Sequence, residues 1–501
     1  MHGFKYAWTI RSPPEFTVCK SARVLILART SAMLFNSGIF ILLFFAVYSF
    51  YWLLPVRAKQ YMIIITSILF YGWYSVPFLL MFLALLIINY YVGMSLIDKK
   101  NKKVLIFGIV VDVMVLVIFK YFYLLAETVG HITGSAYLID LRNSWVADYK
   151  FEIILPIGIS FYTFQVIAFI TDCYTGMIRE KVTPMKFYVF TLFFPHFVAG
   201  PIMRAPDLIP QIDNPSIDRT RMLNACLLIL MGIVKKVLIA DRLGAATSAI
   251  WHNPEKYDAI FLLLIPFVWA FQIYGDFSGY TDMARGIAKL LGFHIPENFR
   301  GPFVARSYQE LWQRWHMTLS FWLRDYIYIP LGGSRVTPFR TYMNLMITFA
   351  VGGLWHGAAY NTIVWGLYTG LVLSLERMWG FSRFRLLPEG RFNFLRILYT
   401  YVVFSIGCLI FASPSMHHTF AIIKGVLSWQ RGIPGGAIET LIGLSVLGYA
   451  MNVFQYYPVF REWISARPRF STAMVIVLTF SIGLLVNLYG DVTGSFIYFK
   501  F

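Results

Sequence analysis

Two tryptophan–histidine pairs, Trp315-His316 and Trp355-His356, are the residues whose chemistry needs explaining. His356 closes the apolar run TYMNLMITFAVGGLW and sits in the stretch GGLWHGA at 352–358, with a second apolar run after it. A histidine titrates at about pH 6.5 in water, so it can take a proton from a hydroxyl near neutrality. That hydroxyl, attacking a thioester, would transfer an acyl group. The sequence has no GxSxG elbow and no cysteine beside a histidine. Direct, base-assisted transfer is therefore favoured over an acyl-enzyme. An ionisable side chain within a membrane span marks function by default, and the competing reading is a neutral histidine hydrogen-bonded between helices. Gly352, Gly353 and Gly357 are expected to loosen the helix at this point, since irregular backbone at membrane depth is tolerated where it lines a cavity.

Other polar residues fit chemistry less well. Asp276 and Asp282 interrupt the apolar segment YGDFSGYTDMARG at 274–286, but a spacing of six does not place both carboxylates on one helix face. Helix capping and interhelical hydrogen bonds explain them as well as catalysis does, although Asp276 could orient a histidine from another helix. His196, in FFPHFVAGPIMR, precedes Gly200-Pro201 in a segment expected to break inside the membrane, and it reads as structural. Cys19, Cys173, Cys226 and Cys408 have no CxxC spacing and read as small apolar residues. The adjacent His417-His418 fits a solvated loop better than a metal site, and no metal is expected.

The elements that must hold these side chains follow from composition. The 501 residues are 58% hydrophobic and only 14% charged, against roughly 25% charged in a soluble domain. This is an all-α polytopic membrane protein. Candidate spans lie at 35–55, 61–76, 77–97, 104–125, 151–172, 186–204, 222–240, 258–275, 340–356, 359–379, 393–412, 438–456 and 471–489. Some are short, so about 11 to 13 membrane segments are expected at about 20 residues per span. The net charge of +18 is spread over many short loops, which suits an anionic lipid surface and argues against nucleic acid. The cluster DKKNKK at 98–103 marks the cytoplasmic face, and counting spans puts VRAKQ (56–60) and MIREK (177–181) on that face too. Residues 1–32, with Lys5, Arg11, Lys20, Arg23 and Arg29 against Glu15 alone, would then lie outside. They read as a disordered basic extension or an over-long start ahead of Met33, and they lack the apolar core of a signal peptide.

Residues 296–340 differ in texture. Arg300, Arg306, Arg314, Arg324, Arg335 and Arg340 are too many for a plain span. Yet Tyr308, Leu311, Trp312, Trp315, Leu319, Trp322, Leu323 and Tyr326 recur with helical spacing. The pattern predicts one amphipathic helix, lying in the interface or dipping into the protein, broken by LGGS. No internal repeat is visible, which weakens a secondary transporter built from duplicated halves. A scaffold for polysaccharide export would tolerate loss of both histidines.

The runs SYQELWQRWHMTLSFWLRDYIYIPLGGSR and GGLWHGAAYNTIVWGLYTG resemble the membrane-bound O-acyltransferase family, in its bacterial branch of alginate O-acetylation and teichoic acid D-alanyl transfer proteins. The likeness extends through GISFYTFQVIAFITDCYTG, FFPHFVAGPIMR, FQIYGDFSGYTDMARGIAKLLGF and the closing SFIYFKF, covering nearly all of 33–501 as one domain. It implies a ring of membrane helices around a central tunnel, with re-entrant or amphipathic helices. The family's near-invariant histidine maps onto His356 through LWHG. Its second histidine maps onto His316, where WQRWH stands in place of WRRWH; glutamine is usual at the position of His196. Trp355, Trp315 and Asp276 would line or support the tunnel. The resemblance implies a thioester co-substrate such as acetyl-CoA or an acyl carrier protein, no tightly bound cofactor, and an extracytoplasmic partner that completes transfer. The expected activity is O-acetylation of an exported or cell-surface polysaccharide at a bacterial inner membrane, with D-alanyl transfer to teichoic acid as the alternative. The basic segments 296–340 and 381–396 could attract donor phosphates or simply obey topology.

Overall fold

The computed structural model describes residues 33–457 except 34, 36, 150, 198–199, 381–392 and 434–437, together with 467, 472, 473, 476, 477 and 480. The expectations for 1–32, for a complete span at 471–489, for Arg383, Arg385 and Arg391, and for the closing SFIYFKF lie outside these residues. The described chain is helical, and its extended pairing is an isolated bridge between Tyr257 and Ile433. Five helices among the described residues are long and apolar enough to cross a membrane: Val76–Asp98, Lys102–Thr133, Arg219–His252, Ala259–Leu290 and Asn393–Ala412. Helices of 19 residues also occupy Val56–Tyr74, Pro338–His356, Tyr360–Met378 and Ile438–Tyr456. Inside a bilayer a helix satisfies its own backbone groups, which is why the apolar runs take this form.

Several boundaries differ from the expected spans for physical reasons. The expected span at 258–275 continues as one helix from Ala259 to Leu290, straight through Asp276 and Asp282. The carboxylates survive there because Lys235 and Lys236 of the neighbouring helix pair with them. Those lysines are adjacent in sequence and both buried, and they sit in a π-helical stretch, Val234–Ala240, within Arg219–His252. The extra residue per turn changes which side chains face the neighbouring helix. The expected span at 151–172 begins its helix only at Ile159, after Gly158 in the left-handed region at φ 73°. The segment 186–204 splits, as its His196-Gly200-Pro201 pattern suggests, into Pro184–Leu192 and the short Phe194–Phe197.

The predicted single amphipathic helix is not one helix. Its residues form Tyr308–Trp312 and Met317–Leu323, separated by a turn in which His316 adopts φ 43° and ψ 51°. Helical spacing survived across the break because the turn is short, so periodicity alone could not reveal it. The segment does dip into the protein: Trp312, Trp315, Leu319 and Trp322 are all buried.

The glycines before His356 also act differently from the expected loosening. The Pro338–His356 helix runs unbroken through Gly352 and Gly353. A Cβ on Gly353 would lie 2.2 Å from the Thr362 carbonyl oxygen, and one on Gly366 would lie 2.2 Å from that of Phe349. These glycines let two antiparallel helices, Pro338–His356 and Tyr360–Met378, pack backbone to backbone.

Lys181 pairs with Asp98 at 2.8 Å, which brings the basic clusters at 98–103 and 177–181 to one face of the molecule.

Candidate active site

His316 and His356 come together, from segments 40 residues apart, with ring centroids 6.2 Å apart and the planes 63° to one another. Both are buried, His316 with 0% of its surface exposed and His356 with 5%. That separation is too wide for a direct imidazole–imidazole hydrogen bond. Aromatic rings enclose them. Phe277 packs edge-on to His316 at 4.6 Å, and Trp355 lies 5.7 Å from it. Trp365 and Phe411 stand 5.1 and 5.3 Å from His356.

A small network determines how His316 is held. Asn298 Oδ1 accepts the Thr318 amide at 3.1 Å and the Thr318 hydroxyl at 3.0 Å, and it lies 3.2 Å from His316 Nδ1. A backbone N–H can only donate, so the amide atom facing Thr318 must be the oxygen. His316 Nδ1 is therefore the donor, and Nε2 is the nitrogen of the neutral ring that carries the lone pair. The Met317 amide donates to the Asn298 carbonyl at 3.0 Å, fixing the same turn. A left-handed residue other than glycine costs about 1–3 kcal/mol and persists where the surroundings over-determine it. Here the Asn298 bonds do so.

His356 is placed by its helix end. The helix stops at His356 because Gly357 is extended, and the Thr362 hydroxyl lies 2.7 Å from the Gly357 carbonyl oxygen. Lys120 Nζ donates to the carbonyl oxygens of Trp355 at 2.5 Å and His356 at 3.3 Å, and to Ser160 Oγ at 3.2 Å. The Tyr121 hydroxyl donates to the Leu354 carbonyl at 2.7 Å, and the Trp355 indole donates to the Ser160 carbonyl at 3.1 Å.

The remaining candidates are spread around this pair. Trp355 stands beside both histidines. Trp315 faces away, packing against Phe299 and Phe404 at 5.0 and 4.8 Å, and so braces the turn from behind. Asp276 forms an ion pair with Lys236 at 2.6 Å, and Lys236 also meets Asp241 at 2.8 Å. That placement favours a brace between helices over an orienter of histidine. His196 Nε2 lies 3.3 Å from Gln165 Oε1, and Gln165 Nε2 donates to the Phe190 carbonyl, a structural arrangement. Cys173, Cys226 and Cys408 are free. No group of three or more potential metal-ligating side chains occurs among the described residues.

Asn298 and Lys120 escaped the reading of the sequence. Asn298 carries no spacing signal, because its partners are 18 and 20 residues away. Lys120 did leave a trace: it is a solitary cation within the apolar run at 104–125.

The sequence is similar to several known proteins. The chain is 36% identical over 441 residues to a probable alginate O-acetylase of Pseudomonas aeruginosa, covering 84% of this chain and 81% of that protein. It is 29% identical over 449 residues to a peptidoglycan O-acetyltransferase of Helicobacter pylori, covering 81% and 82% respectively. A teichoic acid D-alanyltransferase of Bacillus subtilis is 29% identical over 284 residues, covering 52% of this chain and 70% of that protein. Residues 63–414, which contain both histidines, Asn298, Lys120 and the helices that hold them, match the family as a whole, and the chain belongs to the membrane-bound O-acyltransferase family.

Proposed function

We propose that this protein is an O-acetyltransferase that esterifies hydroxyls of an exported or cell-surface polysaccharide, with His356 as the base and His316 as its partner. The observation that carries the reading is the convergence of the two imidazoles, 6.2 Å apart inside an aromatic enclosure. The acetyl group arrives as a thioester. His356 takes the proton of the acceptor hydroxyl as its oxygen attacks the thioester carbonyl. Collapse of the tetrahedral intermediate breaks the C–S bond, and the departing thiolate receives the proton from the imidazolium. His316 Nε2 accepts a hydrogen bond from a second hydroxyl of the acceptor sugar and so orients the one that attacks, while the aromatic rings keep bulk water from hydrolysing the thioester. Trp355 lines the reacting space, and Trp315 and Asp276 support it.

Acetyl-CoA or an acyl carrier protein supplies the thioester from the cytosolic side of a bacterial inner membrane. Arg396 Nε donates to the Arg306 carbonyl at 3.2 Å, bringing part of the two basic segments together, which supports a docking face for donor phosphates. A tunnel through the helical ring passes the acyl group outward, where an extracytoplasmic partner completes transfer. Acetyl is favoured over D-alanyl because the relatives named for O-acetyl transfer align along far more of the chain.

The test is ester analysis of the surface polysaccharide from a deletion strain complemented with wild-type protein or His356→Ala at matched membrane levels. Acetyl esters should disappear on deletion, return with wild type, and stay absent with H356A. Unchanged acetyl content in the deletion strain, or loss of D-alanyl esters instead, would overturn the reading.

A further inference from the structure

We propose that Lys120 is a positioning residue for the reaction: it clamps the C-terminal end of the His356 helix and thereby sets where the imidazole stands. This inference rests on the reading of His356 as the base. Lys120 lies within Lys102–Thr133, the most apolar of the membrane-crossing helices, on its π-helical turn Val117–Tyr121. A cation at that depth is costly and is retained where it does something specific, and π turns recur at functional sites. No carboxylate pairs with Lys120 among the described residues. Its partners are instead the carbonyl oxygens of Trp355 and His356 and the hydroxyl of Ser160.

The stoichiometry separates positioning from catalysis. An ammonium has three protons and no lone pair, and Lys120 has three acceptors. None of its protons is left for a substrate. The last carbonyls of a helix lack intrahelical partners and form the negative end of its dipole, so a cation is favoured there. Tyr121, the next residue, takes the Leu354 carbonyl. Ser160 then joins both sides, since its hydroxyl accepts from Lys120 and its carbonyl accepts from the Trp355 indole. Lys120, Tyr121 and Ser160 thus hold the three consecutive residues Leu354, Trp355 and His356 from outside their own helix. Gly357 ends the helix immediately afterwards, so helical continuity does not hold the imidazole on its far side.

The experiment compares wild type, Lys120→Met, Lys120→Arg and His356→Ala as full chains in the deletion strain and purified in lipid nanodiscs. Two readouts are taken: the rate of polysaccharide acetylation per membrane-inserted protein, and the rate at which diethyl pyrocarbonate modifies His356, followed by mass spectrometry. K120M should lower the acetylation rate about tenfold or more, because displacing a catalytic group by about an ångström costs up to a hundredfold. It should change the modification rate of His356 at least threefold, with His417 and His418 unaffected. K120R, which restores a cation and several donors, should recover at least a third of the rate. An acetylation rate at wild-type level in K120M, unchanged modification of His356, or equal loss in K120M and K120R would overturn the clamp. If H356A stays active, the reading of His356 fails, and the modification kinetics still decide whether Lys120 positions it. Should K120M not accumulate, Ser160→Ala and Tyr121→Phe take its place. Each should lower the rate about threefold, and wild-type rates in both would refute the proposal.

Discussion

At the scale of single residues, the site depends on which nitrogen of His316 carries its proton. Asn298 decides this by presenting an oxygen to three donors. Asn298→Leu removes that acceptor and frees the ring to take the other tautomer, so acetylation should fall by about a hundredfold, on the scale of other groups that fix a histidine through its second ring nitrogen. Asn298→Asp keeps every acceptor and should stay within about tenfold of wild type, because a carboxylate is also a competent partner for a histidine N–H. Ester formation per unit of membrane protein measures both, and equal loss in the two variants would show that Asn298 acts through folding. His316→Ala should cut the rate by at least about a hundredfold, while a normal rate would reduce His316 to packing. The positive φ of His316 belongs to the same account. The residue is held in an uncommon conformation at the point where its imidazole must leave the aromatic stripe and face His356.

At the scale of elements, the placement of His356 is a property of a helix pair. Pro338–His356 and Tyr360–Met378 approach so closely that Gly353 and Gly366 have no room for a side chain. Gly353→Val should destabilise the protein by about 3 kcal/mol or more, since added carbon atoms in a close-packed contact force backbone movement. Thermal unfolding in nanodiscs would report it, and a melting temperature equal to wild type would mean the helices can separate at no cost. Gly443, by contrast, has open space around its Cβ position, so Gly443→Ala should leave stability nearly unchanged. Trp315, on the turn before Met317–Leu323, and Trp355, on the helix pair, divide the labour. Trp355 stands at the histidines, whereas Trp315 packs on Phe404 of the Asn393–Ala412 helix and braces the turn.

At the scale of the whole molecule, a buried chain of charges ties two long helices to the segment that carries Asn298. Lys236 meets Asp241 and Asp276, Lys235 meets Asp282, and Arg285 reaches both Asp282 and Glu297. Glu297 immediately precedes Asn298 and is also held by Arg300 at 2.9 Å. The network therefore anchors the loop beneath His316. Lys236→Met would leave two buried carboxylates without their cation and should cost about 3–5 kcal/mol, enough to lower membrane abundance. The triple variant Lys236→Met, Asp241→Asn, Asp276→Asn removes both signs of charge and should regain most of that stability. If Asp276 only braces the fold, this triple variant should acetylate within about threefold of wild type; loss of activity at normal abundance would place Asp276 in the reaction.

Much of this was legible in the residues. Apolar runs of helical length announced a polytopic helical protein because a bilayer permits few other solutions, and the described residues of the runs at 393–412 and 438–456 are helical. Trp315-His316 and Trp355-His356 stood out as polar groups in apolar surroundings, and the family resemblance rested on the motifs around them. What the sequence could not express was anything that depends on distant segments meeting. The break at His316 hides inside an intact helical periodicity. Lys235 and Lys236 are unexplained cations inside the expected span at 222–240 until the helix at Ala259–Leu290 supplies their carboxylates. The glycines at 352 and 353 suggest looseness until Leu323 fills the space beside the first and the Tyr360–Met378 helix the space beside the second. Local pattern determined the helices and named the histidines. Only tertiary packing decided which nitrogen of His316 is basic and which lysine holds the end of the His356 helix, because both depend on partners far away in the chain.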